Sequence, residues 1–398
     1  MANVHMKHST DAGFNISYNT MYDNFFPLAT DKKNEEVDWD RFSSADSEIT
    51  GSIAGRSPDF EVAAIRTHNV FTWIRDLFLS TLTSIVTLPQ TVVRKILMIQ
   101  FYPAQSAIMS RFIEIFTRQT ADEMRLEVAK ASQEGGYCFR HLVFKVHGSL
   151  YSALLAGHKS TIDNGKWILQ AVGNGMTGEQ VIDSFAPAYK RLQCNVLIVN
   201  NPAVGASLGS CEPKTIQEAQ EAGILFLEHA LKARTIGICG LSLGGAAVAS
   251  ALQEHRFLAD RKYFVVRQVA FDSISNICAK IVKIATASTW LTTFVKHLVR
   301  WCGLEIDGVQ ASAVLQEKKI TEIIVQATTE DFSSDAPTKE GFTSDKLIPK
   351  NASLGYRLVK KGITGNKVFV KAPNLYHNDL ARILKTGSPA MKAAINHS

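Results

Sequence analysis

The chain is poor in what several protein classes require. Its six cysteines, Cys138, Cys194, Cys211, Cys239, Cys278 and Cys302, never form a C-x-x-C pair. That argues against a zinc ribbon or a thioredoxin-like motif, and it predicts free thiols in a reducing compartment. Cys138 and Cys239 lie in apolar runs and read as small core residues. No group of His, Asp, Glu or Cys has metal-ligand spacing, so no metal is expected. No flavin, nicotinamide or pyridoxal pattern is present, so no cofactor is expected either. The net charge is only +6 over 398 residues, with no Lys/Arg block to track phosphates. Nucleic acid is therefore not an expected partner, whereas weak attraction to an anionic membrane surface fits the sign. No clean apolar run reaches the roughly 20 residues of a membrane-spanning helix. The opening MANVHMKHSTDAGFNISYNT lacks the apolar core of a secretory leader. The expected location is cytoplasmic or peripheral on a membrane. A polar N-terminus is also compatible with a secreted effector.

What is present is a globular composition, 46% hydrophobic, enough for a large core. Three segments differ in character. Residues 1–58 are polar and weakly periodic, and read as disordered or loosely attached. Residues 59–134 read as a helical, partly apolar extension. Its uncharged run from Leu77 to Val93 is expected to pack on the main domain or touch a membrane surface. Residues 135–398 alternate short apolar runs with helical stretches. CFRHLVFKVHG and YSALLAGH predict an antiparallel hairpin; WILQAV, NVLIVNN, TIGICG, FVVRQVAFD, ITEIIVQAT and KVFVKAP predict further strands. This rhythm predicts a mostly parallel, doubly wound α/β sheet. A helical stretch, Ile277 to Leu304, breaks it. The insertion, about residues 277–318, is expected to form a lid.

The stretch TIGICGLSLGGAAVASAL carries the chemistry. Gly240, Ser242 and Gly244 fit G-x-S-x-G, a weak signal alone. Here an apolar strand precedes it and a helix follows at once, as a nucleophile elbow requires. Flanking glycines let strand and helix approach closely. Where an elbow is used, the acid and then the histidine follow the serine in chain order. The downstream histidines are His255, His297, His377 and His397. His255 ends the elbow helix, His297 lies in the insertion and His397 adjoins the chain end. His377 follows the last strand, where the base should be. The acid should follow the preceding strand. Asp345, in the turn SDKLIP, is preferred; Asp331 is the alternative and lies nearer the strand end; Asp272 is a third option. Oxyanion donors are expected from the N–H of Leu243, after the serine, and of Asn174, in the loop VGNGMTGE, where Gly173 and Gly175 let the backbone turn.

Together these pieces resemble the α/β-hydrolase superfamily from about Cys138 to the C-terminus. Within it the chain resembles the chlamydial 43 kDa CHLPS proteins, through GLSLGG, ILQAVGNG, NNPAVGAS, DKLIP and LYHNDL. Its mass, 43.8 kDa, agrees. The family is also similar to a secreted Legionella effector. The resemblance implies Ser242 as nucleophile, Asp345 as acid, His377 as base, and Asn174 and Leu243 as oxyanion donors. Two positions depart from the superfamily pattern: Val172-Gly173 stands for a frequent His-Gly, and Ala203 for the first glycine of Gly-x-Gly-x-Ser. The expected function is hydrolysis of a carboxylic ester or thioester, with a hydrophobic acyl group on a small-molecule or lipid substrate. The competing expectation is a non-catalytic, membrane-associated effector or interaction protein on a hydrolase scaffold.

Overall fold

The computed structural model of the chain describes residues 136–146, 149–174, 176–205 and 207–396, with Ile16–Thr20 and positions 90 and 94. Most of the segments read as 1–58 and 59–134 thus lies outside the described residues, as does Gly175.

Among the described residues the elements run β1 (Ile16–Thr20), β2 (Tyr137–Val146), β3 (Ser149–His158), β4 (Lys166–Ala171), α1 (Gly178–Arg191), β5 (Asn195–Val199), α2 (Pro213–Leu225) and β6 (Thr235–Leu241). Then follow α3 (Leu243–Glu254), β7 (Lys262–Gln268), α4 (Ile274–Thr286), α5 (Thr289–Trp301), α6 (Gly308–Glu317), β8 (Thr321–Val325), α7 (Leu354–Lys361), β9 (Lys367–Val370) and α8 (Leu380–Asn396). They form one sheet in the order β1-β2-β3-β5-β4-β6-β7-β8-β9. The pairs β1/β2, β2/β3 and β3/β5 are antiparallel, and every later pair is parallel. This mixed, mostly parallel sheet with its helical insertion after β7 is an α/β-hydrolase fold. The edge strand β1 was not expected from its polar sequence.

The central strands are mostly apolar because both of their faces are covered. All of NVLIV in β5 is buried, as are all but the first residues of β4 and β6. Side chains alternate between two cores, as strand geometry requires. Ile168, Val196, Ile198, Cys239 and Val266 pack with Phe185 of α1 and with Ile383 and Met391 of α8. Leu169, Leu197, Val199, Ile238 and Val265 pack with Ala219 of α2, Val248 of α3 and Leu315 of α6.

The insertion differs from a single long helix. Ala287 adopts a left-handed conformation, φ 56°, and ends α4; Ser288 then caps α5, its hydroxyl accepting from the N–H of Leu291 at 3.4 Å. Asp307 caps α6 through Val309 and Gln310, both at 2.9 Å. Ile274, Cys278, Val282, Leu291 and Val295 form a third core with Leu243 and Ala247 of α3 and with Ile348. The hairpin of α4 and α5 is thereby fastened beside the start of α3. Two described positions of the N-terminal extension reach this region: Gln90 Nε2 donates to the carbonyl of Trp301 at 2.6 Å, and Arg94 pairs with Glu212.

Candidate active site

Between β4 and β6 the strand order reverses, since β5 lies to one side of β4 and β6 to the other. Such a switch point leaves a crevice at the carboxyl ends of the strands. Both glycine-bearing loops of the sequence lead into it.

Ser242 sits between β6 and α3 with φ 52° and ψ −115°. Positive φ is unfavourable for a residue with a Cβ, and the conformation is held from outside. The N–H of Ser242 donates to the carbonyl of Gln268 at 2.9 Å, and its own carbonyl accepts from Gly245 at 3.0 Å. The flanking glycines are required by contact. A Cβ on Gly240 would lie 2.4 Å from the Gly244 oxygen, and one on Gly244 would lie 2.4 Å from the Ala171 oxygen. Both obstacles are backbone, so neither can move aside. Gly244→Ala is expected to cost about 3 kcal/mol or more, at the upper end for overpacking. Equilibrium denaturant unfolding measures it; a loss under about 1 kcal/mol would contradict this packing.

His377 follows β9, and its Nε2 lies 2.9 Å from Ser242 Oγ. Its Nδ1 lies 2.8 Å from Asp345 Oδ2. The N–H of His377 also donates to the carbonyl of Asp345 at 3.0 Å, so main chain and side chain fix the same pair. Asp345 is 1% exposed, a burial that demands full hydrogen bonding. Its other oxygen, Oδ1, accepts from the N–H groups of Leu347 at 3.1 Å and Ile348 at 2.6 Å. The turn that supplies them has Lys346 at φ 75° and is closed by Ser344 Oγ donating to the Ile348 carbonyl at 3.0 Å.

Asp345 lies far along the chain from the end of β8, yet it is close to it in space. The excursion after Thr329 returns through Gly341, whose oxygen accepts from Thr329 at 2.8 Å, and Thr343 donates to the Ala327 carbonyl at 2.9 Å. Thr328 Oγ1 accepts from the N–H of Ala372 at 2.9 Å, tying this loop to the one that carries His377.

The other two acids lie elsewhere. Asp331 is exposed on the outgoing arm of the excursion, and a hydrogen bond from Thr329 holds its carboxyl below the ordinary aspartate range. Asp272 follows the end of β7, is buried, and accepts from Arg357 Nε at 2.8 Å, Asn276 Nδ2 at 2.7 Å and the N–H of Ser273 at 2.7 Å. Burial pushes Asp272 up to about 6, against the pull of Arg357. Its carboxylate joins β7 to α4 and α7, whereas the His377 ring is partnered by Asp345.

Leu243 is the first residue of α3, where N–H groups are unpaired within a helix and the dipole is positive. The loop after β4 lies against the elbow: a Cβ on Gly173 would lie 3.7 Å from Ser242 Cβ and 3.7 Å from the Leu241 oxygen. Asn174 is the next residue, on an exposed turn closed by Met176 N–H to the Gly173 carbonyl at 3.3 Å. Thr177 and Gln180 form a reciprocal capping box that starts α1 directly afterwards.

The sequence pattern gave no role to Asn200 and Asn201, which directly follow β5 beside this loop. A polar doublet ending a fully buried strand was the available signal. His255 is buried, with Nε2 2.9 Å from Glu228 Oε1, at the opposite end of β6 from Ser242. Among the described residues no group of three or more His, Cys, Asp or Glu side chains could hold a metal ion. All six cysteines are free and buried, and burial raises the thiol of Cys138 to about 11.

No curated protein matches the chain. Among solved structures it is similar to an α/β-hydrolase from Vibrio vulnificus, at 16% identity over 75% of this chain and 92% of that one, with a TM-score of 0.49. It is also similar to an esterase from Pyrococcus furiosus, at 12% identity over 66% and 92%, TM-score 0.46. An enol-lactonase from Burkholderia xenovorans matches at 14% identity over 64% and 100%, TM-score 0.41. The family model described as Chlamydia CHLPS protein (DUF818) matches residues 79–388, most of the chain. The chain belongs to the Chlamydia CHLPS protein family.

Proposed function

We propose that this protein is a serine hydrolase that cleaves a carboxylic ester or thioester through an acyl-enzyme. The observation that carries the reading is the unbroken relay Ser242 Oγ, His377 Nε2, His377 Nδ1, Asp345 Oδ2, with spacings of 2.9 and 2.8 Å, on an elbow with positive φ. His377 Nε2 takes the hydroxyl proton as Ser242 Oγ attacks the carbonyl carbon. Asp345 accepts the Nδ1–H bond, holds that tautomer and stabilises the imidazolium that forms. The N–H groups of Leu243 and Asn174 receive the developing oxyanion. As the intermediate collapses, His377 returns the proton to the departing alcohol or thiol. Water, activated by the same ring, then releases the acid. No step calls for a cofactor.

A hydrophobic acyl group is supported by the apolar core that reaches the site. Leu243, adjoining the serine, and Ile348, adjoining the acid's turn, pack with Phe271, Ile274 and Leu291. The outer side of the same hairpin exposes Trp290 and carries Lys283 and Arg300, which suits contact with a membrane surface holding such a substrate. No helix among the described residues is long and apolar enough to cross a membrane.

A fluorophosphonate probe tests the reading, because it reacts with an activated serine and hardly with an ordinary one. The wild type is expected to be labelled on the peptide containing Ser242, and the Ser242→Ala protein to remain unlabelled. Equal labelling of both proteins, or none of either when both are folded, would overturn it.

A further inference from the structure

The loop that carries Asn174 must stay in place for its N–H to be useful, yet nothing in Val172-Gly173 can hold it by a side-chain hydrogen bond. The restraint comes from the neighbouring strand. β5 pairs with β4 in parallel, with Ala171 opposite Val199, so Asn200 and Asn201 leave the sheet beside Val172. Asn200 Oδ1 accepts from the N–H of Gly178 at 2.6 Å, and its Nδ2 donates to Ser152 Oγ at 2.8 Å and Glu179 Oε2 at 3.0 Å. Asn201 Nδ2 donates to the carbonyl of Val172 at 3.4 Å. Consecutive asparagines thus hold both ends of the segment from Val172 to Gly178.

Asn201 is 1% exposed and itself fixed, its carbonyl accepting from Val204 at 3.1 Å across the turn through Pro202 and Ala203. The orientation of its amide follows from chemistry. The Val172 carbonyl can only accept, so Nδ2 must face it. That leaves Oδ1 buried with no partner among the described residues. A buried unpaired acceptor is costly, and an apolar side chain of similar size would avoid the cost. The placement makes sense if the bond to Val172 does something an apolar residue could not.

Resting on the serine-hydrolase reading above, the geometry points to Asn201 as a positioning residue. Its amide holds the Val172 carbonyl and so keeps the Gly173–Asn174 turn against the elbow, aligned for the oxyanion. Asn200 anchors the far end of the loop at the start of α1. Asn201 touches no reacting atom; it acts through the loop.

The test compares the full-length wild type with Asn201→Val and Asn201→Leu. Both variants remove the donor without a large change in volume, and neither can regain one by protonation. One arm is hydrogen exchange of the peptide spanning 172–178, which needs no turnover. Exchange there is expected to rise about 10-fold or more in both variants, while the β5 peptide stays protected. The other arm is p-nitrophenyl butyrate hydrolysis per titrated active site. The expected result is a kcat loss of about 10- to 100-fold with KM within about 3-fold, less than for deleting an oxyanion donor outright. Affinity for a trifluoromethyl ketone, which mimics the tetrahedral state, should fall in parallel. A purely structural role would lower the titratable fraction and leave kcat per site unchanged, which would overturn the assignment. Wild-type exchange at 172–178 in both variants would overturn it equally. Absence of turnover in the wild type would instead sink the hydrolase reading, with the exchange arm still deciding the loop restraint.

Discussion

Ser242→Ala is expected to lower kcat for ester hydrolysis about 10⁵-fold or more while leaving the fold intact. The reason for both halves lies at one residue. Alanine keeps the Cβ, so the backbone at φ 52° is no more strained than before, and the N–H still donates to the Gln268 carbonyl. Only Oγ is lost, the atom 2.9 Å from His377 Nε2. Without it no acyl-enzyme forms, and binding plus the oxyanion donors leave only a small residual rate. Turnover of p-nitrophenyl butyrate alongside thermal melts measures the two effects. A variant that melts like the wild type but keeps more than about 1% of its kcat would show that the hydrolysis occurs elsewhere.

Asp345→Asn is expected to cost about 10⁴-fold in kcat with little change in structure. The orientation of the new amide is dictated by the turn. Leu347 and Ile348 present N–H groups at 3.1 and 2.6 Å, so the asparagine oxygen must stay on that side. Its NH₂ then faces His377 Nδ1 and donates to it. The ring is forced to carry its proton on Nε2, pointing at the serine it should deprotonate. Asp331→Asn, on an exposed carboxylate, is expected to change kcat by less than about 3-fold. Asp272→Asn removes the partner of Arg357 and should act on stability, with kcat per folded molecule falling less than about 10-fold. Steady-state kinetics on the three variants decide the matter; a loss at Asp272 or Asp331 equal to that at Asp345 would contradict the assignment.

Much of the fold was legible because the central strands are buried on both faces and read as predominantly apolar runs. NVLIV and TIGICG could be placed from composition alone. Strand ends were less legible. FVVRQVAFD reads as a strand to Asp272, but β7 stops at Gln268, and Val269 turns to φ 43°. Nothing local marks that turn, since valine resists positive φ and is held there by its N–H bond to the Val325 carbonyl at 2.8 Å. The insertion read as one helical stretch because its apolar spacing continues across Ala287, and the break depends on the Ser288 cap.

The positions of the serine and histidine followed from order along the chain. The choice of acid did not. Distance from the end of β8 favoured Asp331, and turn chemistry favoured Asp345. The return of the excursion, through the pairing of Thr343 with Ala327, brings the later residue back to the strand end. That pairing is long-range and leaves no local pattern. The restraint on the Asn174 loop was hidden for the same reason, since it comes from β5 and not from the loop itself.

The central claim is that Ser242 Oγ becomes acylated. Rapid acid quenching of the wild type during p-nitrophenyl butyrate turnover, followed by peptide mass spectrometry, tests it most directly. The account predicts a butyryl adduct on the peptide containing Ser242, absent from Ser242→Ala and accumulating when deacylation is slowed. A folded, hydrolytically active wild type that carries no adduct there, or an adduct on another residue that persists in Ser242→Ala, would contradict it.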